Sequence, residues 1–421
     1  MKWCVYRWEP GFSPQVLRAA QPPLPSVEAI FEAVEKRGDA ALFELTQQYD
    51  GVALERLRIP TSEIERAEVP APLVEAIHTA YQNLRTFHLR QLPEEVVVET
   101  QPGVLCGLRY VPLRRVGLYV PGGTAPLVST VLMLGVAAQV AGVPEIALAT
   151  PPAQDGRVPE AILYAARLCG IYEIYSVGGA QAIAAFALGT ESIPAVDKIA
   201  GPGNRFVQAA KLEAARRGVG IDMPAGPSEV VVVCDETAPP AWMAADLLAQ
   251  AEHGPDSLVG LITPIEDLIY AIQTEMEKQL SSNPRRSFIE ESLEHSWALL
   301  VPDVETGVKV ADAIAPEHLI LACGQPERFL SQLYRAGSVF LGPLTPESAG
   351  DYASGTNHVL PTGGMARSYG SLTALSFMRS FTYQRLTPEG VRHLTPTVLE
   401  LAKFEGLPAH AEAMRFRYEA L

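Results

Sequence analysis

The chain has 421 residues, of which 48% are hydrophobic, so it can bury a large core and is expected to form two or more domains. The formal net charge of −15 and the lack of any Lys/Arg run predict no nucleic-acid partner. The first residues lack an apolar signal core, no apolar stretch is long enough for a membrane span, and the five scattered cysteines form no CxxC pair, so we expect a reduced, cytoplasmic protein without a membrane partner.

The first part of the chain shows no apolar periodicity, and apolar residues at helical spacing follow it. Residues 1–24 have no clear periodicity and are interpreted as an arm that must dock on another part of the protein. Apolar residues at helical spacing predict two helices between residues 25 and 49 and another over residues 73–90. Residues 96–100 and 104–111 are typical of strands.

From residue 116 onwards, strands and helices alternate. One alternation runs from residue 116 to residue 222, and a second runs from residue 230 to residue 341. Right-handed crossovers make each alternation a parallel sheet covered by helices on both faces. After about residue 372 the periodicity is helical again. The predicted fold class is therefore α/β, with two Rossmann-like parallel-sheet units and helical N- and C-terminal extensions.

Glycine-rich loops follow several of the predicted strands. These loops have the sequences Pro121-Gly-Gly-Thr, Val177-Gly-Gly-Ala-Gln, Gly201-Pro-Gly-Asn and Ala225-Gly-Pro-Ser. Glycine allows a backbone to approach a ligand closely, and helix N-termini after such loops favour anions such as a pyrophosphate. None of the loops matches G-x-G-x-x-G, so together they favour a nucleotide cofactor only modestly.

Two short segments carry candidate metal ligands and proton-transfer groups. Gln250 and His253 stand three residues apart at a helix end, where they can share a metal ion or simply cap the helix; read alone, the segment favours capping. Glu317 and His318 stand together at the start of a buried strand and can transfer protons, although a surface pair is an equal alternative.

A long polar loop and the C-terminal tail hold further polar groups. The loop over residues 346–361 is too long and too polar for a plain turn, so it is interpreted as functional. It contains Glu347, Asp351, Asn357 and His358. In the tail, Glu405 and His410 would be ordinary surface residues if they were read alone.

Taken together, these segments resemble the histidinol dehydrogenase family over nearly the whole chain and in order. The stretch over residues 363–385 matches the family only loosely, which puts no catalytic position in doubt. The matching segments are Gly117–Pro126, Gly178–Ala184, Asp197–Asn204, Ile221–Glu229, Ala249–Asp256, Ala315–Leu319, Gly350–Pro361 and Glu405–His410.

The resemblance implies an NAD-dependent oxidation of L-histidinol to L-histidine by way of L-histidinal, the last steps of histidine biosynthesis. It implies that Glu317 and His318 are the catalytic acid/base pair and that NAD contacts Tyr119, Gln181 and Asn204. It also implies one zinc ion per subunit, with manganese a plausible substitute, held by Gln250, His253, Asp351 and His410. The implied substrate contacts are Ser228, Gln250, His253, His318, Asp351, His358, Glu405 and His410.

The resemblance also implies a homodimer in which the C-terminal segment completes the neighbouring subunit's site. The expected division is an N-terminal arm (1–15), a zinc and substrate domain (16–115 plus 228–372), an NAD-binding domain (116–227) and a dimer-forming helical tail (373–421). A thiohemiacetal route would need a reactive thiol; Cys106 has a glycine neighbour but is interpreted as a core residue.

Three alternatives stay open on the sequence. A zinc hydrolase would use the same metal ligands but would give no role to the loops of residues 116–227. A non-catalytic binding protein would leave Glu317 and His318 unexplained. A related zinc-dependent dehydrogenase acting on another small polar alcohol is the nearest alternative, because pocket shape is not visible in a sequence.

Overall fold

The computed structural model describes residues 4–18, 23–122, 126–223 and 226–421. Parts of the arm and of two predicted loops, including Gly123, Thr124 and Ala225, lie outside these ranges. The strands are β1 (Cys4–Arg7), β2 (Val96–Gln101), β3 (Val104–Pro112), β4 (Arg115–Tyr119), β5 (Glu145–Thr150), β6 (Glu173–Ser176), β7 (Lys198–Ala200), β8 (Gly220–Ile221), β9 (Glu229–Cys234), β10 (Leu258–Thr263), β11 (Trp297–Leu300), β12 (His318–Ala322), β13 (Ser338–Leu341) and β14 (Met378–Leu386).

Helices connect and cover these strands, and short 3₁₀ turns lie at Pro14–Leu17, Pro326–Gln332, Met365–Arg367 and Ala374–Phe377. The α-helices are α1 (Glu28–Arg37), α2 (Asp39–Asp50), α3 (Thr61–Arg66), α4 (Ala71–Leu89), α5 (Val128–Ala141), α6 (Glu160–Leu168), α7 (Gly179–Leu188), α8 (Arg205–Arg216), α9 (Pro240–Ala251), α10 (Glu266–Leu280), α11 (Arg286–Leu293), α12 (Val304–Ile314), α13 (Glu347–Tyr352), α14 (Pro388–Phe404) and α15 (Pro408–Glu419). Within the described residues, none of the helices combines the length and apolarity that a membrane crossing needs.

The two predicted parallel sheets are present and share one strand order. The first sheet runs β6-β5-β4-β7-β8 and the second runs β1-β11-β10-β9-β12-β13. If each unit is numbered from its own first strand, β4 or β9, both sheets have the order 3-2-1-4-5 of a Rossmann-like half. Buried apolar strands such as β9 fit sheets that helices cover on both faces. The predicted α/β fold class is confirmed.

The N-terminal arm docks on the second sheet. Strand β1 lies parallel to β11, with Cys4 opposite Trp297 and Arg7 opposite Leu300. The arm therefore adds one edge strand to the sheet. Leu17, which follows this strand in the chain, packs among buried residues on one face of the sheet.

A third sheet, β14-β3-β2, is antiparallel and corrects the prediction for the tail. The sequence predicts helix after residue 372, but β14 pairs with β3 along its whole length, from Met378 opposite Pro112 to Leu386 opposite Val104. Local periodicity misses this strand because its hydrogen-bond partners lie more than 250 residues away in the chain. The helix predicted over residues 326–335 is likewise a short 3₁₀ turn.

The helices before residue 116, which the sequence groups with the second unit, have their buried apolar faces on the first sheet. Phe31 of α1 and Leu42 of α2 share a buried cluster with residues of β4 to β7, and Leu84 of α4 packs with α5 and β4. Helix propensity locates these helices but carries no information about which sheet accepts their apolar faces.

Several of the candidate residues named from the sequence lie near the connection between the two parallel sheets. Residues 222–228 connect the carboxyl end of β8 to the amino end of β9. The carboxyl end of the first sheet and the amino end of the second sheet are therefore close along the chain at this junction. The loop after α13 bridges this junction, since Asn357 Nδ2 donates to the carbonyl oxygen of Met133 in α5 at 2.8 Å.

Candidate active site

Glu317 and His318 stand at the amino end of β12, both buried. One carboxylate oxygen of Glu317, Oε2, accepts hydrogen bonds from Ser228 Oγ at 2.6 Å and from the backbone N–H of Glu229 at 2.9 Å. Burial raises the pKa of Glu317 well above its ordinary value, while these two bonds act in the opposite direction. A desolvated carboxyl held in this way is a candidate proton donor and acceptor.

The imidazole of His318 is held as a neutral base. Its Nδ1 lies 3.3 Å from the carbonyl oxygen of Glu229, which can only accept, so Nδ1 carries the proton and Nε2 carries the lone pair. Nε2 is buried without a hydrogen-bond partner. Burial, opposed by the charge of Asp351, lowers the pKa of His318 to about 4. At neutral pH the ring is therefore uncharged, with a free lone pair.

Helix α13 brings two carboxylates to this imidazole. Glu347 Oε1 lies 3.6 Å from His318 Nδ1, and Asp351 Oδ1 lies 3.7 Å from His318 Nε2. The ligand atoms of these three residues lie within 4.8 Å of one another and form a candidate metal-binding group. Both Glu347 oxygens are buried without partners, and burial raises the pKa of its carboxyl well above the ordinary value.

Glu347 is absent from the site predicted from the sequence. The available signal is its position four residues before Asp351, which places both carboxylates on one helix face. The candidate metal-binding group shares only Asp351 with the four zinc ligands that the resemblance implies.

The end of α9 supplies the predicted glutamine and histidine. Gln250 is fully buried, and neither its amide oxygen nor its amide nitrogen has a partner. His253 follows one turn later on the exposed side, with Nδ1 3.1 Å from the carbonyl oxygen of Ala249. The charge of His253 contributes to lowering the pKa of both His318 and His358, so it lies within electrostatic range of the cluster. A buried amide that has no hydrogen-bond partner among the described residues is available to a ligand.

His358 and Ser228 also lie at the junction. His358 Nδ1 is 2.8 Å from the carbonyl oxygen of Asp351, and its Nε2 is 3.3 Å from Thr130 Oγ1 near the start of α5. Burial lowers the pKa of His358. Ser228 contacts Glu317, which lies beside His318, and Asp351 lies close to both His318 and His358. The structure therefore brings together five of the predicted site residues: Ser228, Glu317, His318, Asp351 and His358.

Glu405 and His410 are not brought to this cluster within one chain. Both are exposed, and α15 has no buried residue. In the described parts of the chain, neither forms a hydrogen bond or ion pair with a residue of the cluster. Cys106 is a half-buried free thiol in the middle of β3, in the antiparallel sheet.

The predicted cofactor residues line one cavity at the carboxyl edge of the first sheet. Its volume is about 400 Å³, and its walls include Tyr119, Gln181 and Asn204. The Tyr119 hydroxyl accepts from the backbone N–H of Gly179 at 3.0 Å, and burial raises its pKa to about 12. Asn204 caps α8, with its side-chain oxygen 3.0 Å from the Phe206 N–H. These loops occupy the carboxyl edge that parallel sheets use for nucleotides.

Comparison with known proteins agrees with this geometry. The histidinol dehydrogenase family model matches residues 18–418. The chain is 47% identical to the histidinol dehydrogenase of Pseudoalteromonas translucida, covering 99% of both chains. It is 48% identical to a Photorhabdus laumondii protein named a histidine biosynthesis bifunctional protein, over 94% of this chain but 49% of that protein's length.

A solved structure shows the same fold. The histidinol dehydrogenase of Elizabethkingia anophelis superposes with a TM-score of 0.96 at 42% identity, covering 99% of this chain and 98% of that one. Because the family model and both full-length matches span nearly every residue, the chain belongs to the histidinol dehydrogenase family.

Proposed function

We propose that the protein oxidises L-histidinol to L-histidine through L-histidinal in two successive hydride transfers, each to one NAD. The observation that carries the proposal is the neutral His318: its Nε2, unpartnered within the described residues, lies 3.7 Å from Asp351 Oδ1, and its Nδ1 lies 3.8 Å from Glu317 Oε2. The nucleotide-type cavity at the carboxyl edge of the first sheet supports the same proposal. A zinc hydrolase or a binding protein would need no such cavity. The remaining alternative is a related dehydrogenase that acts on another small polar alcohol. The experiment with L-histidinol described below distinguishes it from the proposed function.

Proton transfers can be assigned to residues of this chain. His318 Nε2 takes the hydroxyl proton of the alcohol while the carbon loses hydride, which leaves the aldehyde. Glu317 then removes a proton from a water molecule, whose oxygen attacks the aldehyde carbon to form the anion of the hydrate. The carbon of this anion then loses a hydride and its remaining hydroxyl group loses a proton to His318, which has released its first proton to solvent, and the product is the carboxylate. Bound NAD would supply the hydride acceptor for each of the two oxidations.

We propose one zinc ion per subunit, held by Gln250, His253, Asp351 and, from a second subunit, His410. The fit rests on the unpartnered buried amide of Gln250 and on the mixed oxygen and nitrogen donors, which suit zinc. Bound zinc would supply Lewis acidity and hold the substrate's amino and imidazole nitrogens in place. We keep His318 outside the metal shell, because coordination through Nε2 would remove the lone pair that its role as base requires.

The remaining proposed substrate contacts are Ser228, His358 and Glu405. Ser228 and His358 already lie at the cluster, so they need no rearrangement to reach a substrate there. Tyr119, Gln181 and Asn204 are proposed to contact NAD, as the lining of the cavity supports.

We propose a homodimer in which the hairpin of α14 and α15 reaches the neighbouring subunit. Apolar side chains on this hairpin are unusually exposed: Phe404 is 93% accessible and Leu401 is 58% accessible. The outer strand of the antiparallel sheet adds Val96, Val97 and Val98, which are all exposed. A patch of this kind favours burial against another subunit, and such burial would allow Glu405 and His410 to meet a cluster that they do not reach within their own chain.

The experiment is to measure the NADH yield from limiting L-histidinol with zinc-loaded protein, chelator-stripped protein and stripped protein to which zinc is restored. We expect two NADH per L-histidinol, lost on stripping and recovered with zinc. One NADH would mean that the reaction stops at the aldehyde. No NADH from zinc-loaded protein would contradict the substrate and would direct the search to other small polar alcohols.

A further inference from the structure

The cavity proposed to hold NAD is lined by the carboxylate of Asp50, which takes no part in the proposed reaction. Asp50, the last residue of α2, lines this cavity together with Tyr119 and Gln181. The described lining includes no lysine or arginine. One oxygen of Asp50, Oδ2, is buried without a hydrogen-bond partner, and burial raises the pKa of this carboxyl.

The position of Asp50 is unfavourable for the fold. A carboxylate at the carboxyl end of a helix faces the negative end of the helix dipole. Desolvation without a partner destabilises the charged form further. Neither effect is offset by a hydrogen bond or ion pair to Oδ2 within the described part of the chain, so a ligand in the cavity that donates hydrogen bonds would stabilise the charged carboxylate.

The strand that usually supplies an acid to the cofactor lacks one here. In Rossmann-like units an acidic residue near the end of the second strand accepts from the ribose hydroxyls. The second strand of this unit is β5, which is followed by Pro151, Pro152 and Ala153. Pro151 lines the cofactor cavity, whereas the next acid, Asp155, lines a different cavity beside α3.

Helix α2 leads into a segment that lies at the β5–β6 edge of the first sheet. The segment after the helix runs along the edge strand β6, with the Ile59 N–H donating to the Ile174 carbonyl at 2.9 Å and the Ser176 N–H donating to the Leu57 carbonyl at 2.8 Å. Strand β6 is the neighbour of β5. The opposite side of the unit, towards α5, faces the catalytic cluster through Thr130 and His358. Helix α2 packs with α1 and α7, whereas α5 belongs to the other buried cluster of this unit, so Asp50 borders the cavity from the side away from Thr130 and His358.

We propose that Asp50 accepts hydrogen bonds from the vicinal hydroxyls of the adenosine ribose and thereby selects NAD over NADP. The inference rests on the proposed function, since it assumes that the cavity holds a nicotinamide dinucleotide. A carboxylate only accepts hydrogen bonds, and a ribose diol can donate two of them. A 2′-phosphate at the same place would bring two negative charges together in a cavity whose described lining offers no cation.

The test compares the zinc-loaded wild type with Asp50→Asn and Asp50→Ala. Glu44→Gln is the matched control, because it removes one acid from an exposed position of the same helix. Two readouts are needed: kcat/KM with NAD and with NADP, and calorimetric binding of ADP-ribose and of its 2′-phosphate, which requires no turnover. Thermal melting of each variant is measured in parallel.

For Asp50→Ala we expect ADP-ribose affinity and kcat/KM for NAD to fall about 10-fold or more, with kcat little changed, because hydrogen bonds to a charged group are lost. We expect both variants to accept the 2′-phosphorylated compounds better than the wild type does. Asp50→Asn should melt no lower than the wild type, since the unfavourable charge at the helix end is gone. Glu44→Gln should behave as the wild type.

Unchanged ADP-ribose affinity and unchanged NAD/NADP discrimination in Asp50→Ala would overturn the assignment. A lower melting temperature for Asp50→Asn, with cofactor preference retained, would assign Asp50 to the fold and would also overturn it. Failure of the proposed function has a different signature, because the wild type itself would then form no NADH from L-histidinol.

Discussion

The Nδ1 nitrogen of His318 lies 3.3 Å from the carbonyl oxygen of Glu229, and this contact determines which ring nitrogen is free to act. The two residues begin neighbouring strands, β12 and β9, so the parallel pairing of the second sheet holds the imidazole in place. The pKa of about 4 keeps the ring neutral well below pH 7. The site therefore contains a base that requires no prior deprotonation.

Replacement of His318 by Asn should lower the rate of the first hydride transfer by about 10²- to 10⁴-fold, the usual contribution of a positioned base. The rate is measured as NADH formation in a single turnover with enzyme in excess. His78→Asn, at an exposed position of α4, is the control and should retain the wild-type rate. A nearly unchanged first step in His318→Asn would show that another group takes the hydroxyl proton.

Glu317→Gln should separate the two oxidations. The amide oxygen of glutamine can still accept from Ser228 and from the Glu229 N–H, so the local geometry is retained while the base is lost. We expect the first NADH to form at nearly the wild-type rate and the second to form about 10²- to 10⁴-fold more slowly. Equal slowing of both steps in a rapid-mixing experiment would contradict a role of Glu317 in water activation.

Sharing of the site between subunits can be tested by complementation of two inactive variants. Gln250→Ala and His410→Ala should each lose zinc and activity when expressed alone. Co-expressed, they should regain about a quarter of the wild-type activity, because half of the random dimers are mixed and each mixed dimer rebuilds one of its two sites. If each chain completed its own site, the mixture would remain inactive and would bind no additional zinc.

Lys211 is expected to stabilise the loop that carries Asn204. Its buried ammonium pairs with Asp222 and donates to the Gly201 carbonyl at 3.1 Å, while Asp222 Oδ2 accepts from the Gly201 N–H at 2.7 Å. Lys211→Met leaves a buried carboxylate unpaired, so the free energy of unfolding should fall by about 3–5 kcal/mol. KM for NAD should rise, with kcat little affected.

Denaturant unfolding and NAD titrations check this prediction for Lys211→Met. The control is Lys309→Met, which breaks an exposed pair with Glu305 on α12 and should change the free energy of unfolding by less than about 1 kcal/mol. An equally small effect of Lys211→Met, or a change in kcat alone, would refute the supporting role of Lys211.

His88 should make the protein sensitive to mild acid. Its imidazole is fully buried, with Nδ1 2.7 Å from Gln91 Oε1 and Nε2 3.3 Å from Asn357 Nδ2, and burial lowers its pKa below 6.5. In the unfolded chain the His88 imidazole binds a proton at about pH 6.5, whereas in the folded chain it binds one only at lower pH. The free energy of unfolding therefore decreases as the pH falls through this interval.

The measurement is the free energy of unfolding at several pH values between 7 and 5 for the wild type, His88→Gln and the exposed control His78→Gln. We expect the decrease towards pH 5 to be smaller in His88→Gln than in the other two proteins. The same pH dependence in all three would show that His88 does not contribute to it.

Much of the fold follows from local patterns. Buried runs such as Val230 to Val233 predict central strands, and the helices between them predict parallel crossovers, which the two sheets confirm. Strand β14 lies beyond this reasoning, because only its pairing with β3 makes it a strand. The packing of α1 to α4 on the first sheet is likewise decided by which apolar surfaces remain available, a property of the assembled chain.

The sequence by itself determined the residues whose partners are close in the chain. Glu317 and His318 are adjacent, and Gln250 and His253 are one helical turn apart, so their proximity follows from covalent spacing. Only the tertiary structure decided that Glu347 reaches His318 and that the Glu229 carbonyl selects the His318 tautomer. It alone also decided that Asp50 enters the cofactor cavity. These contacts join distant parts of the chain, and they depend on how sheets and helices pack, which no local pattern encodes.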